Sequence, residues 1–363
     1  MDRVQSHYHF LKQALLLAKS RRGFCAPNPS VGAVVVRNGK LLASGKHWAF
    51  GEPHAEIDAL KKIQYRAENA TLYITLEPCC HQGKTPPCTA AIIQSGIRSV
   101  YYGCRDPNPK VAGQGDAELQ KAGLICQHLT SPDIENFYRS YCHWEKYKVP
   151  WVTAKIAMSL DGKTANQSER PLKITRPTLQ YYTHQKRYHS DAILTGINTI
   201  IKDNPKLNAR LDNKVYKKPL YILDSALRLP IESNIFNTAR SITAFYDAAL
   251  KNLQKNRSLL ESLGVQFIDV QKNQYGLNLM QILKKIGEEG MHDLWVESGS
   301  QLFQSLWLQK LLHRAFIYIA PKVFGNGPVI GLTEEMDFAK DAHDIHWEAI
   351  GQNLVCQLDY AKC

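Results

Sequence analysis

The sequence has no run of apolar residues approaching the ~20 that a membrane-spanning helix requires. Its first apolar stretch, Phe10 to Ala18, is interrupted by Lys12 and Gln13 and reads as an amphipathic helix, not a secretion signal. There is no low-complexity tract and no internal repeat. Nine cysteines, an odd number, lack the spacing of a disulfide scaffold, so a reducing cytoplasm is the expected compartment. The dinucleotide fingerprint G-x-G-x-x-G is also missing. Gly325-Asn326-Gly327 with Gly331 has the wrong spacing and no helix signal after it, which argues against a Rossmann domain. Acidic side chains are the scarcer charge, 33 against 45 basic, for a net charge of +12. The excess is shared by both halves. Nucleic acid, phosphorylated small ligands and an ordinary basic surface are all compatible with it.

At 363 residues the chain suffices for two domains. Residues 6–20 read as a helix. Val31 to Val36 and Leu41 to Gly45 read as strands joined by Asn38-Gly39, a strong hairpin signal. Helices over His54 to Ile63, Cys88 to Ser95 and Ala117 to Ala122 alternate with strands over Thr71 to Leu76 and Ser99 to Gly103, an α/β pattern. A segment rich in charge and aromatics, Tyr141 to Pro150, reads as a separator, with the boundary near residue 148. The second half alternates again. Strands are expected over Trp151 to Met158 and near 191–196, 219–224, 241–246, 265–269, 293–297 and 315–320. Helices are expected near 177–187, 248–263, 277–287 and 300–308.

His54-Ala55-Glu56 is followed by Thr75-Leu76-Glu77-Pro78-Cys79 and, after eight intervening residues, by Cys88. One histidine and two thiolates make a three-ligand zinc set whose fourth position stays open, the mark of a catalytic site. Imidazole and soft thiolates favour zinc, with iron as the alternative. Zinc makes hydroxide available near neutral pH, and Glu56 is placed to take the water proton and return it to a leaving ammonia. On a helix two residues apart point ~200° away from each other, so Glu56 is read as a non-ligand. The pattern is that of zinc deaminases, with a longer gap between the cysteines than the usual two residues. Cys80 is read as a bystander. Gly299, between an expected strand and an expected helix, reads either as a phosphate-binding helix N-terminus or as a plain turn.

The stretch TLEPCCHQGKTPPC (75–88) closely resembles the bifunctional riboflavin-biosynthesis deaminase/reductase family. Pro27-Asn28-Pro29 with Val31-Gly32-Ala33, GEPHAE (51–56) and RDPNPKVAGQG (105–115) fit the same family. So do SLDGKTA (159–165), DNPKLNAR (203–210), LDS (223–225), WVESG (295–299) and IAPKVFG (319–325). The resemblance spans nearly the whole chain. It implies a cytidine-deaminase-like three-layer α/β domain over 1–147 and a dihydrofolate-reductase-like α/β domain over 148–363. The first would remove the 2-amino group of 2,5-diamino-6-(5-phosphoribosylamino)pyrimidin-4-one. The second would use NADPH to reduce the ribosyl group of the product to ribityl.

Carried over by motif position, His54, Cys79 and Cys88 would bind one Zn²⁺ and Glu56 would shuttle the proton. Asn28, His47, His81, Lys84, Asp106 and Asn108 would line the pyrimidine and phosphate site. Ala157, Thr199, Asp203, Ser225 and Gly299 would contact NADPH, and Lys155, Arg187, Leu207, Arg210 and Glu297 the second substrate. Arg187 and Arg210 suit a phosphate through their forked donors. The family's usual Ser-x-Trp-Ile-Thr-Ser segment reads Pro171-Leu172-Lys173-Ile174-Thr175-Arg176 here, and Asn208 replaces a usual threonine. These departures leave a deaminase with a purely structural second domain as the alternative, and the charge leaves a tRNA or single-strand deaminase as a remote one. The expected partners are small phosphoribosylated pyrimidines and further copies of the chain, not nucleic acid or membrane.

Overall fold

A computed structural model describes residues 3–81, 86–109, 112–164, 177–250, 254–325 and 336–361. The chain divides into two compact units, Met1–Lys148 and Val149–Cys363.

The first unit runs α1 (Arg3–Lys19), β1 (Gly32–Arg37), β2 (Lys40–Lys46), α2 (Ala55–Lys62), β3 (Thr71–Ile74), α3 (Cys88–Gln94), β4 (Ser99–Tyr102), α4 (Gln114–Lys121), β5 (Ile125–His128) and α5 (Pro132–Tyr147). Its sheet has the order β2-β1-β3-β4-β5. β1 is antiparallel to both neighbours, and β3, β4 and β5 are parallel. The β1–β2 turn places Asn38 at φ 50° and Gly39 at φ 74°, the left-handed pair that a tight two-residue hairpin needs. Alternation along β1 splits its side chains between two cores. Val34 and Val36 pack with Phe10, Leu11 and Leu15 of α1 and with α5. Ala33 and Val35 pack with Ala59 and Leu60 of α2, Ile92 of α3 and Leu119 of α4. The result is a three-layer αβα sandwich.

The expected separator at 141–150 is corrected: most of it is the end of α5. Ile134, Phe137, Tyr138 and Tyr141 are buried at i, i+3, i+4 and i+7, so a helical stripe holds this segment in the first unit. Close approach fixes α2. A Cβ added at Gly45 would stand 2.1 Å from the Ala55 carbonyl oxygen and 2.4 Å from the Ala59 nitrogen. Gly45→Ala is therefore expected to cost about 1–3 kcal/mol by overpacking. Urea unfolding checks this; unchanged stability would mean that α2 can back away from β2.

The second unit runs β6 (Trp151–Ser159), α6 (Pro177–His189), β7 (Ala192–Gly196), α7 (Ile197–Asp203), β8 (Ala209–Leu211), β9 (Lys214–Tyr216), β10 (Pro219–Leu223), α8 (Ile235–Thr238), β11 (Ser241–Asp247), α9 (Gln254–Ser262), β12 (Val265–Val270), β13 (Lys272–Asn273), β14 (Gly276–Leu277), α10 (Leu279–Glu288), β15 (Asp293–Glu297), α11 (Ser300–Leu308), β16 (Arg314–Ala320), β17 (Asp344–Ile350) and β18 (Asn353–Asp359). The main sheet has the order β12-β11-β10-β7-β15-β6-β16-β18-β17. β12 through β16 in that order are parallel, and β18 and β17 complete one edge antiparallel. Ile193, Leu220, Ile222, Trp295 and Phe316 form a core on one face with Leu179 of α6 and Ile200 of α7. Among the described residues no helix is long and apolar enough to cross a membrane.

Candidate active sites

The two motifs of the first unit meet at one end of its sheet. His54 is the N-cap of α2, with extended backbone at φ −65° and ψ 162°. Cys79 follows the end of β3, and Cys88 opens α3. The ligand atoms of His54, Cys79 and Cys88 all lie within 4.8 Å of one another. His54 Nδ1 is 3.3 Å from Cys88 Sγ and 3.5 Å from Cys79 Sγ. Tetrahedral bonds of ordinary zinc length would set a nitrogen and a sulfur ligand about 3.6 Å apart, so the donor set fits the metal. His54 lies just outside the helix, so the ~200° helical separation expected between it and Glu56 does not apply. Glu56 is instead on the first turn of α2, 3% exposed, and lines the same cleft.

Burial pushes the Glu56 carboxyl up to about 7 against the opposing pull of His54. The Cys88 thiol, hydrogen-bonded to Cys79, and the neighbouring His54 hold Cys79 down at about 4 although burial opposes them. Cys88 is pushed up in turn, first by Cys79 and then by burial.

A cleft of about 350 Å³ opens on His54, Glu56 and Cys79. Asn28, His47, His81, Asp106 and Asn108 all line it; Lys84 lies outside the described residues. His47 Nδ1 is 3.1 Å from the Pro53 carbonyl oxygen, which can only accept, so that nitrogen carries the proton. Burial, the largest influence on His47, lowers its pKa and keeps the ring neutral. Nε2 then accepts from Asn28 Nδ2 at 3.3 Å, which leaves Asn28 Oδ1 as an acceptor. Asp106 accepts the Asn108 backbone N–H at 2.9 Å and the Tyr141 hydroxyl at 3.4 Å, and burial pushes it up to about 6. Phe50, Tyr141 and Trp144 also line the cleft and were not foreseen. The signal for the last two was the helical stripe of α5.

In the second unit the expected residues collect at the C-terminal ends of parallel strands. Lys155 and Ala157 lie on β6, Thr199 and Asp203 on α7 after β7, Ser225 just after β10, and Glu297 and Gly299 at the end of β15. In open α/β sheets this is where ligands bind, at the point where strand order reverses. Here β6 lies beside β15, with β7 on the far side. Arg187 reaches in from α6. Its Nε and Nη2 donate to the two oxygens of Glu297, the latter at 2.9 Å, and its Nη1 donates to the Asn208 carbonyl at 2.9 Å. The fork expected to meet a phosphate is therefore engaged by Glu297.

Trp295 Nε1 also donates to Glu297 at 3.0 Å. Burial alone would raise Glu297, but Arg187, Lys155 and Trp295 together hold it at about 2. Burial lowers Lys155 below the ordinary lysine range. Arg210 Nη1 donates to Asn208 Oδ1 at 2.6 Å, and Leu207 is buried in the core. Gly299 caps α11 without a side-chain bond, and a Cβ there would meet nothing within 4 Å. Open backbone at a helix N-terminus suits a phosphate-bearing cofactor. The altered segment 171–176 lies outside the described residues.

Residues 4–104 match the cytidine and deoxycytidylate deaminase zinc-binding region, and residues 150–356 match the RibD C-terminal domain. The chain is 38% identical over 328 residues to the riboflavin biosynthesis protein RibD of Aquifex aeolicus, covering 89% of each. Its structure is similar to that of Acinetobacter baumannii RibD, with a TM-score of 0.86 at 29% identity over 99% of both chains. It is also similar to a diaminohydroxyphosphoribosylaminopyrimidine deaminase/5-amino-6-(5-phosphoribosylamino)uracil reductase from Thermotoga maritima, with a TM-score of 0.84 at 29% identity over 98% of this chain and 99% of that one. Fold and sites thus define a bifunctional enzyme, a zinc-dependent cytidine-deaminase-like domain joined to an NADPH-dependent reductase domain of dihydrofolate-reductase-like fold. The chain belongs to the RibD family of riboflavin biosynthesis.

Proposed function

We propose that the first unit deaminates 2,5-diamino-6-(5-phosphoribosylamino)pyrimidin-4-one and that the second reduces the ribosyl chain of 5-amino-6-(5-phosphoribosylamino)uracil to ribityl. The observation that carries this is the cluster of one nitrogen and two sulfur donors, two of whose members, His54 and Cys79, line the same cleft as buried Glu56. His54, Cys79 and Cys88 would hold zinc, which would supply a nucleophile from water at neutral pH. Glu56 takes up a proton within the cleft and delivers it to the departing amine. Asn28 Oδ1, turned by His47, accepts an N–H of the pyrimidine. Asp106, Asn108 and His81 orient the rest of the substrate, and Phe50, Tyr141 and Trp144 shield it from bulk water.

In the second unit bound NADPH would supply the hydride, and the protein supplies placement. Open backbone at Gly299, with Ala157, Thr199, Asp203 and Ser225, holds the cofactor across the strand ends. Arg210 holds the phosphate, while Lys155, Leu207 and Glu297, fixed in place by Arg187, position the sugar. Thiolate ligands and a reduced nicotinamide suit the cytoplasm. The outer strand β17 exposes Ile345 and Trp347, the latter at 56%, on an open sheet edge, which supports self-association of the chain.

NADPH oxidation, followed by absorbance with the deaminated phosphoribosylaminouracil as substrate, tests the reductase half. Turnover is expected. No turnover from protein that still deaminates the diamino precursor would confine the function to the first unit. Stripping zinc with a chelator is expected to abolish ammonia release and leave NADPH oxidation intact, because the two sites lie in separate units. Parallel loss of both activities would contradict that separation.

A further inference from the structure

The Glu-Pro-Cys motif contains a glutamate that neither the metal set nor the proton shuttle uses. Glu77 is 3% exposed. Its Oε2 accepts the backbone N–H groups of Asp106 at 3.4 Å and Gly113 at 3.1 Å, and its Oε1 accepts that of Asp116 at 3.4 Å. Its own N–H donates to the Cys104 carbonyl at 2.9 Å. The neighbouring backbone is drawn in as well. A Cβ at Gly115 would stand 2.0 Å from the Pro78 carbonyl oxygen, so only glycine allows the start of α4 to lie against this strand end. Two independent contacts, one from a side chain and one backbone to backbone, therefore join residues 77–78 to the stretch 106–116.

Both ends of this junction face the deaminase cleft. Two residues beyond Glu77, Cys79 lines it, and the strapped stretch contributes Asp106 and Asn108 to its wall. We infer that Glu77 is a positioning residue for the deaminase substrate, strapping the 106–116 stretch to the strand end that presents the metal ligand Cys79. The inference rests on the deaminase reading of the cleft. A carboxylate suits the task because both oxygens accept and neither donates, so three N–H groups can converge on it. Glutamine has the same shape but turns an NH₂ toward one set of donors, and one side of the strap must open.

The test uses the full zinc-loaded chain and its Glu77→Gln variant, with Glu77→Asp as a milder second variant. Hydrogen exchange at the Asp106, Gly113 and Asp116 amides is expected to quicken roughly tenfold on loss of one such bond. Zinc should remain at one per chain. KM for deamination should rise by a similar factor while kcat stays within about threefold, since uniform binding is lost and the metal and Glu56 are not touched. Wild-type exchange at those three amides would overturn the strap. An unchanged KM beside a lowered melting temperature would reduce Glu77 to a structural residue, and loss of zinc with unchanged KM would assign it to the ligand instead. If the unaltered chain releases no ammonia, the reading of the cleft fails, and the exchange rates still decide whether Glu77 holds the stretch.

Discussion

Replacing Glu56 with glutamine is expected to leave one zinc per chain and to lower kcat for deamination by roughly 10²–10⁴-fold, the usual worth of a positioned acid–base group. Glu56→Ala should do the same. The side chain is buried beside the ligands without being one of the three clustered donors, so the metal stays when it changes. Its buried place beside the ligands, in the wall of the cleft, suits a group that must both accept and donate a proton there. Metal content by plasma emission and ammonia release by a coupled assay decide the matter together. Near wild-type turnover would remove Glu56 from the mechanism. Zinc loss would show that it supports the ligands instead.

Glu297→Ala is expected to destabilise the second unit by about 3–5 kcal/mol, the cost of leaving a buried partner charge uncompensated. Both side chains of the Arg187–Glu297 pair are only 11% exposed, and Arg187 would be left beside Lys155 with the Asn208 carbonyl as its remaining contact among those described. The pair also sets an acid limit. Glu297 lies at about 2 in the fold against ~4.3 in an unfolded chain, so the folded state binds this proton less readily. Its contribution is full above pH ~4.3 and is lost as pH falls toward 2, with unfolding then favoured by proton uptake. Urea midpoints measured across that window should converge for wild type and variant at the acid end. A gap that stays constant with pH would show that the ion pair is not the source of the stability.

The deaminase centre was legible because its chemistry is local and rare. His54, Glu56, Cys79 and Cys88 fall in two short motifs, and few other roles call for that combination. The wall formed by Tyr141 and Trp144 was not, because a dense mixture of charge and aromatics hid the stripe that begins at Ile134. Short elements such as α7, the β8–β9 hairpin and the β17–β18 pair also escaped notice. β17 is exposed along nearly its whole length, so it lacks the apolar alternation that marks a half-buried strand. The reductase residues carried no readable spacing. They converge from β6, from β8 and the loop before it, from the ends of β10 and β15 and from the helices α6 and α7, and only family resemblance gathered them beforehand. The engagement of Arg187 by Glu297, more than a hundred positions away, is beyond any local pattern.

Strand order in the second unit also has a consequence for how the chain emerges from the ribosome. β6 and β7 are nearly consecutive in sequence, yet they never touch; the slot between them is filled by β15, about a hundred residues later. Until residue 297 has been synthesised, both strands have an open edge, and the middle of the sheet cannot close. The first unit has no such debt, since every strand finds its neighbours before residue 129 is made. During translation the deaminase half can therefore be complete while the reductase half still offers unpaired edges, the kind of surface that aggregates or recruits chaperones.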